Sequence, residues 1–185
     1  MNQKVKFIAQ AGIIAALYVA FSWFSGLLGL SSGAIQVRIS DALCMLVAFT
    51  PAAIPGVTIG CIIYNLTSGC ILIDVCLGSL ASLIGCAGGW LIWKAIGSAS
   101  AKKTAAPASS ETSKNRGPLS PVIFLMPLPY ILANAFIVPT YLPLYGIETA
   151  YWLNVLTVGA GEVIACGIIG ILLYLALYPV RNRLF

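Results

Sequence analysis

Glu162 is the acidic residue whose surroundings most clearly suggest a functional role. It lies about ten residues into an otherwise apolar segment, VGAGEVIACG, where inserting an ion into a bilayer costs about 2.5–3.5 kcal/mol. No lysine or histidine in that segment offsets this cost, so we expect the carboxylate to face an internal cavity. A carboxylate in such a place can accept two hydrogen bonds from the amidine-like edge of a ligand.

Four further polar side chains lie in apolar segments and could line the same cavity. The amides of Asn65, Asn134 and Asn154 each offer two donors and one acceptor oxygen, a set suited to reading a heterocycle. Asparagine also joins membrane helices to one another, so a structural role is equally open. Asp74 begins a predicted helix, where the helix dipole favours a carboxylate by about 0.3–1 kcal/mol, so it fits either a helix terminus or a ligand site.

Arg38 and Asp41 form a possible charged pair. A spacing of three residues places both side chains on one face of a helix, within pairing distance. Two interpretations follow: a neutralising pair at the membrane edge, or a polar floor beneath a ligand. Aromatic residues near these positions, such as Tyr64, Tyr130 and Trp152, are typical of the aromatic belts at membrane interfaces.

Several absences argue against an enzyme. The chain has no histidine, which removes the commonest general base and metal ligand. It also lacks the glycine-rich phosphate loop that would hold a nucleoside triphosphate. The six cysteines lie in apolar runs, and among them only Cys70 and Cys76 are near enough in sequence for a disulfide to be worth testing. We therefore expect no catalytic residues, no cofactor and no metal site.

The composition requires a lipid environment. Of 185 residues, 60% are hydrophobic and only 8% are charged, too few ions for a water-soluble surface. Since a span needs about 20 mostly apolar residues, the length allows roughly six. We predict an all-α integral membrane protein, one membrane domain over residues 1–185, with a flexible cytoplasmic linker at 98–118 and helices at roughly 7–30, 36–50, 51–66, 73–96, 119–145 and 151–179.

Basic residues set the orientation, because they stay on the cytoplasmic side of a membrane. Arg38 apart, the lysines and arginines fall before the first helix, in or beside the linker, and after the last helix. They share one face if four crossings precede the linker and two follow it, with both termini cytoplasmic. Two crossings before the linker and two after it, with a re-entrant hairpin at 36–66, satisfy the rule equally, although we prefer six crossings.

The first predicted helix carries small residues at a spacing of four. Gly12, Ala16 and Ala20 form one row, and Ala11 and Ala15 form another beside it. Small residues at this spacing let a second helix approach closely. That helix belongs either to this protein or to a partner subunit.

Four sequence blocks, in the same order, resemble the QueT family, and the similarity covers most of the chain outside the linker. The blocks are IQVRISDAL (35–43), PAAIPGVTIGCIIYNL (51–66), LIDVCLGSLASL (72–83) and NVLTVGAGEVI (154–164). Members of this family are substrate-binding S components of energy-coupling factor transporters, thought to import queuosine precursors. The resemblance implies a six-helix S-component fold that binds a deazaguanine base, such as the pre-queuosine amine or queuine, on the outer side.

The resemblance also implies partners and ligand residues. Transport in this class needs a transmembrane coupling subunit and two ATPase subunits, and the small-residue face of the first helix would dock on the coupling subunit. The protein would be a multi-pass protein of the bacterial plasma membrane that binds no nucleic acid. The ligand residues implied first are Asn65, Asp74, Asn134 and Glu162, followed by Arg38, Asp41 and Asn154.

One other function remains open from the residues alone. An ion-coupled secondary transporter of a small cationic or heterocyclic solute could use Asp41 and Glu162 as proton or sodium sites. Such a carrier would work without ATPase partners and would depend on an ion gradient.

Overall fold

The computed structural model describes residues 2–30, 36–103, 120–146 and 149–185, and all regular structure in these ranges is helical. Most of the predicted linker, and Glu111 and Glu148, lie outside the described residues. The elements are α1 (Gln3–Leu27), a buried 3-10 helix (Ile39–Ala48), α2 (Ala53–Thr67), α3 (Leu72–Lys103), α4 (Val122–Leu125), α5 (Leu128–Ile137), short 3-10 helices (Val138–Thr140 and Leu142–Tyr145), α6 (Tyr151–Glu162), a π-helix (Val163–Ile169), α7 (Gly170–Leu177), a further 3-10 helix (Tyr178–Val180) and α8 (Arg181–Leu184).

Four helical stretches of the described chain are long and apolar enough to cross a membrane, namely Gln3–Leu27, Leu72–Ile96, Val122–Thr140 and Tyr151–Val180. The buried 3-10 helix and α2 are shorter, with 10 and 15 residues. At about 2.0 and 1.5 Å per residue, each extends roughly 20 Å. Two of the six predicted helices are therefore shorter than the roughly 30 Å hydrocarbon core.

The buried 3-10 helix replaces the α-helix predicted at 36–50. Runs of this conformation rarely exceed three or four residues. Here each residue from Ser40 to Val47 is buried, so packing on every side, more than local preference, supports the conformation. The segment runs antiparallel to α1, because the Ile39 amide donates to Ser25 Oγ (2.9 Å) and the Thr50 hydroxyl donates to Gln10 Oε1 (2.9 Å).

Helix α2 packs closely along α1 through two glycines. A Cβ added at Gly56 would lie 2.9 Å from the Ala11 carbonyl oxygen, and one at Gly60 would lie 2.7 Å from Tyr18 Cβ. At the end of α2, Gly69 has a φ of +77°, and the Cys70 amide donates to the Asn65 carbonyl (3.0 Å). This left-handed glycine ends the helix and turns the chain into α3.

Helices α3 and α5 are antiparallel and also in close contact. A Cβ at Gly85 would lie 2.5 Å from Tyr130 Cα, and one at Gly88 would lie 2.6 Å from Pro129 Cβ. The proline-rich stretch predicted at 119–145 is broken into α4, α5 and two 3-10 turns, as expected when proline removes backbone donors. Helix α3 continues to Lys103, past the predicted end at 96.

Residues 36–48 run beside the last helical stretch in the same direction. A Cβ at Gly161 would lie 1.9 Å from the Gln36 carbonyl oxygen, and one at Gly170 would lie 2.9 Å from Met45 Cγ. The two ends of the chain meet, since Lys6 Nζ donates to the Phe185 carbonyl and Gln10 Nε2 donates to the Leu184 carbonyl (3.2 Å). The N- and C-termini therefore lie at one end of the helix bundle.

Candidate functional site

Asp41 lies at the centre of a buried polar group. Its Oδ1 atom accepts hydrogen bonds from the hydroxyls of Tyr18 (2.7 Å) and Tyr130 (2.8 Å), and its side chain is 2% exposed. The Tyr130 hydroxyl also contacts Ser82 Oγ (3.1 Å). These side chains come from α1, the buried 3-10 helix, α3 and α5, so four elements of the fold converge on one carboxylate.

Glu162 belongs to the same group and points into the protein. It is 7% exposed, and the Cys166 thiol donates to its Oε2 atom (3.4 Å) and to the Asp41 carbonyl (3.3 Å). The side chains of Glu162 and Asp41 are close enough to interact with one another. Glu162 is the last residue of α6, directly before the π-helix, and π-helical turns occur frequently at functional sites. We call the set of Tyr18, Asp41, Ser82, Tyr130, Glu162 and Cys166 the Asp41 cluster.

A second polar group surrounds Gly78 on α3. A Cβ added there would lie 3.1 Å from Asp74 Oδ1, 3.3 Å from Asn65 Nδ2 and 3.5 Å from the Tyr141 hydroxyl. Asn65 Nδ2 donates weakly to the Asp74 carbonyl (3.5 Å), and the Tyr145 hydroxyl donates to Asp74 Oδ2 (2.8 Å). We call Asn65, Asp74 and Tyr141 the Gly78 cluster.

Each member of the Gly78 cluster has a buried polar atom without a hydrogen-bond partner. These atoms are Asn65 Oδ1, Asp74 Oδ1 and the Tyr141 hydroxyl, in side chains that are 0%, 4% and 2% exposed. Since buried polar atoms are nearly always paired in proteins, these three are exceptions, although the Tyr141 hydroxyl and the Asp74 carboxylate are close enough to interact with each other.

Arg38 lies between the two clusters. Its guanidinium interacts electrostatically with Asp41, Glu162 and Tyr141. Arg38 precedes the 3-10 helix in an extended conformation, so the two residues do not share one helix face as expected, although their charges interact. The arginine is half-buried.

The two remaining asparagines predicted for the site differ in their partners. Asn134 is buried one turn beyond Tyr130 on α5, and its amide donates to the Tyr130 carbonyl (3.0 Å). Asn154 exchanges hydrogen bonds with Thr149: its Oδ1 accepts from the Thr149 hydroxyl and its Nδ2 donates to the Thr149 carbonyl (3.5 Å). The Asn154 side chain therefore holds the start of α6.

The two rows of small residues on α1 face different ways. Ala11 and Ala15 are buried against Gly56 and Gly60 of α2, so this row packs within the protein. Gly12, Ala16 and Ala20 are exposed, and a Cβ at Gly12 would meet no atom within 4 Å. Only the second row is open to another helix.

Four residues of the site carried no clear signal in the sequence, namely Tyr18, Tyr141, Tyr145 and Cys166. Tyr18 lies seven residues after Ala11, two turns along α1, so it shares the face of the helix that buries Ala11. Tyr130 is buried in the site, whereas Trp152 is 68% exposed, as in an interfacial belt.

All six cysteines are free thiols, including Cys70 and Cys76. Within the described ranges no three histidine, cysteine or acidic residues are grouped to hold a metal ion.

Several apolar helices are long enough to cross a bilayer, and buried carboxylates, tyrosines and amides lie between them. These features define a helical membrane protein with an internal polar site. The family model of the QueT transporter matches residues 8–179, and the chain belongs to this family. A segment of 83 residues is 39% identical to a protein of Lactococcus lactis subsp. cremoris (strain MG1363) that is named queuosine precursor transporter QueT. The matched segment covers 45% of this chain and 48% of that relative. No solved structure is significantly similar to the chain.

Proposed function

We propose that this protein is the substrate-binding membrane subunit, or S component, of an energy-coupling factor importer, and that it takes up a queuosine precursor. The observation that carries the proposal is the burial of Asp41 and Glu162 side by side at the centre of a protein of the QueT transporter family. The name of the Lactococcus relative supports a deazaguanine base as the cargo.

The chemistry of the Asp41 cluster suits such a base. A guanine-like edge presents N–H and NH₂ donors, and a carboxylate offers only acceptors, so Glu162 pairs with that edge. The neighbouring Asp41 is held by two tyrosine hydroxyls, which keeps its position fixed before the ligand arrives. Asn134, one turn along α5, supplies an amide in the same region.

We further propose six membrane passes with both termini on the cytoplasmic side. The contacts of α1 with the 3-10 helix support a full crossing by the latter, because Ser25 and Gln10 are about 22 Å apart along α1. The Val37 amide donates to the Leu30 carbonyl (2.9 Å), which extends the paired region further. The meeting of Lys6 with Phe185 supports termini on one side, and the lysines and arginines there favour the cytoplasm.

A binding subunit of this kind requires an energy source from partners. The sequence lacks a phosphate loop, so we assign ATP hydrolysis to two ATPase subunits and force transmission to a transmembrane coupling subunit. The open row of Gly12, Ala16 and Ala20 on α1 is the surface we assign to the coupling subunit. The assembly would act in the bacterial plasma membrane.

Uptake measurements in cells separate this proposal from an ion-coupled carrier. We expect uptake of labelled aminomethyl-deazaguanine only when the coupling and ATPase subunits are co-expressed with this protein. Dissipating the proton and sodium gradients while ATP is maintained should leave that uptake largely intact. Uptake by this protein alone that collapses with an ion gradient would instead assign Asp41 and Glu162 to ion coupling.

A substitution on α1 tests the assigned docking surface. Because Ala16 is exposed and Gly12 beside it meets no neighbour, we expect Ala16→Trp to leave ligand affinity within about twofold and to abolish uptake. The paired variant Ala15→Trp should behave differently, since Ala15 packs against Gly60 and the indole would disrupt the fold. Loss of ligand binding in Ala16→Trp would show that this row is part of the internal packing.

A further inference from the structure

We propose that a negatively charged phospholipid binds at the end of the helix bundle where the chain termini meet, with one acyl chain in an apolar groove between α1 and α7 and its phosphate at Lys6 and Arg183. This site is separate from the two buried polar clusters. Its occupant therefore does not depend on which compound the protein transports.

The groove forms because α1 and α7 rest on the same element. Both helices pack against the buried 3-10 helix, and they leave a gap between them whose floor is formed by Leu43 and Leu46. Leu17 lines one wall, and Leu173 and Leu177 line the other. Leu17 is 40% exposed, so the groove opens to the outside of the bundle, where lipid surrounds a membrane protein.

The size of the groove fits one hydrocarbon chain. It extends along α1 from Gln10 to Phe21, which is about 16 Å at 1.5 Å per residue and about half of a 30 Å hydrocarbon core. Its volume of about 310 Å³ holds about ten methylene groups if each occupies roughly 30 Å³, as a water molecule does. Among the described residues that line the groove, Gln10 is the one that is not apolar. An acyl chain of one leaflet therefore matches the groove in length, volume and polarity.

The groove is too narrow for a helix of a partner protein. Spread over about 16 Å, a volume of 310 Å³ corresponds to a cross-section about 5 Å wide, whereas an α-helix with its side chains is about 10 Å wide. The open row of Gly12, Ala16 and Ala20, which we assign to the coupling subunit, lies beside this face of α1 and does not line the groove. A lipid is the occupant that fits.

Positive charge at the mouth of the groove selects the headgroup. Lys6 precedes Gln10 by four residues and so continues the stripe of α1 that lines the groove. Its ammonium donates to the carbonyl of Phe185, a lining residue, and keeps two more donors for a phosphate. Arg183 is exposed beside Leu184, another lining residue. The carboxyl side chains of the described chain are buried in the two polar clusters, so this end attracts an anion, as basic pockets between membrane helices do.

The test measures which lipid the purified full-length protein retains. The protein in detergent is mixed with equal amounts of phosphatidylglycerol and phosphatidylcholine that carry the same acyl chains, and bound lipids are counted by native mass spectrometry. Since each basic residue near a membrane surface contributes roughly fivefold to anion binding, we expect one phosphatidylglycerol per protein and a preference of roughly 25-fold over phosphatidylcholine. The double variant Lys6→Gln with Arg183→Gln should lose this preference and retain the two lipids about equally.

Two indole substitutions separate the groove from the rest of α1. Leu17→Trp fills the groove and should remove most of the retained lipid, whatever its headgroup. Ala16→Trp adds the same side chain one position away, on the open row, and should keep the lipid. Melting curves identify a variant that fails to fold, and Ile13→Trp on the same wall replaces Leu17→Trp in that case. Lys94→Gln removes a charge from α3, where the ammonium lies 4.2 Å from the centre of the Trp90 ring, and should leave the preference unchanged.

Three outcomes would overturn the inference. Equal retention of the two lipids by the wild type, or a preference that survives the double variant, would show that the headgroup is not recognised here. Many bound lipids with no single retained molecule would identify a non-specific lipid annulus only. A Leu17→Trp protein that keeps the lipid but no longer co-purifies with the coupling subunit would assign the groove to that subunit. None of these results depends on deazaguanine binding, so failure of the proposed function is measured separately.

Discussion

Replacing Glu162 by glutamine should lower the affinity for a deazaguanine at least about 100-fold. The glutamine keeps the size of the side chain but replaces one acceptor oxygen with a donor, so one of two hydrogen bonds is lost and a donor faces another donor. Each hydrogen bond to a charged group contributes about 1.5–3 kcal/mol, and a mismatched buried donor adds a penalty of similar size. Isothermal titration of purified protein measures the change.

Thermal stability separates this effect from unfolding. Because Glu162 is buried beside a second acidic side chain and is costly to ionise there, Glu162→Gln, whose amide carries no charge, should unfold at the same temperature as the wild type or higher. Thr157→Val, on the same helix, removes a hydroxyl that donates to the Asn154 carbonyl (3.1 Å); it is the matched control and should bind normally. Full affinity in Glu162→Gln would remove Glu162 from the site.

Gly161→Ala should be the most disruptive small substitution near the site. The added Cβ would lie 1.9 Å from the Gln36 carbonyl oxygen, so the backbone that leads into Arg38 and Asp41 must move. Overpacking of this kind typically costs about 1–3 kcal/mol, which lowers the melting temperature of a protein this size by roughly 2–12 °C. We expect ligand affinity to fall at least about tenfold as the two side chains are displaced.

The neighbouring glycine provides the control. In Gly159→Ala the new Cβ would lie 3.5 Å from Ala135 Cβ, an ordinary contact, on the same helix. This variant should match or exceed the stability of the wild type, since alanine favours a helix by about 1 kcal/mol over glycine. Equal melting temperatures and affinities for the two variants would mean that residues 36–38 do not depend on contact with α6.

Composition and hydrophobic pattern predicted the features of this protein that follow from the bilayer as a solvent. An ion in an apolar run must face inward, and Glu162 is buried. The partners of Asp41 were beyond such reasoning, because Tyr18 and Tyr130 lie 23 and 89 residues away and no local pattern identifies which side chains meet across helices. The buried atoms of the Gly78 cluster that lack a hydrogen-bond partner could not be predicted either, because Asn65, Asp74 and Tyr141 belong to different parts of the chain.

The helix type of one segment and the inward side of another were harder to predict, because the local sequence fits two possibilities in each case. The segment 39–48 has the composition of an α-helix, but burial on all sides accommodates a 3-10 helix, and its burial depends on the whole fold. Adjacent rows on α1 differ by one residue, about 100° around the axis, so spacing alone could not tell which faced inward. Gly56 and Gly60 on α2, also four apart, complement Ala11 and Ala15 and decide it.

Mass spectrometry of small molecules carried by the purified protein tests the central claim most directly, which is that the buried carboxylates hold a nitrogen-rich heterocyclic cargo. Protein purified from cells that make queuosine should release an amine-bearing deazaguanine on denaturation, in near-equal molar amount, and Glu162→Gln purified alongside should release almost none. Wild-type protein that is folded and binds no deazaguanine, either from the cells or when the compound is added in excess, would contradict the account.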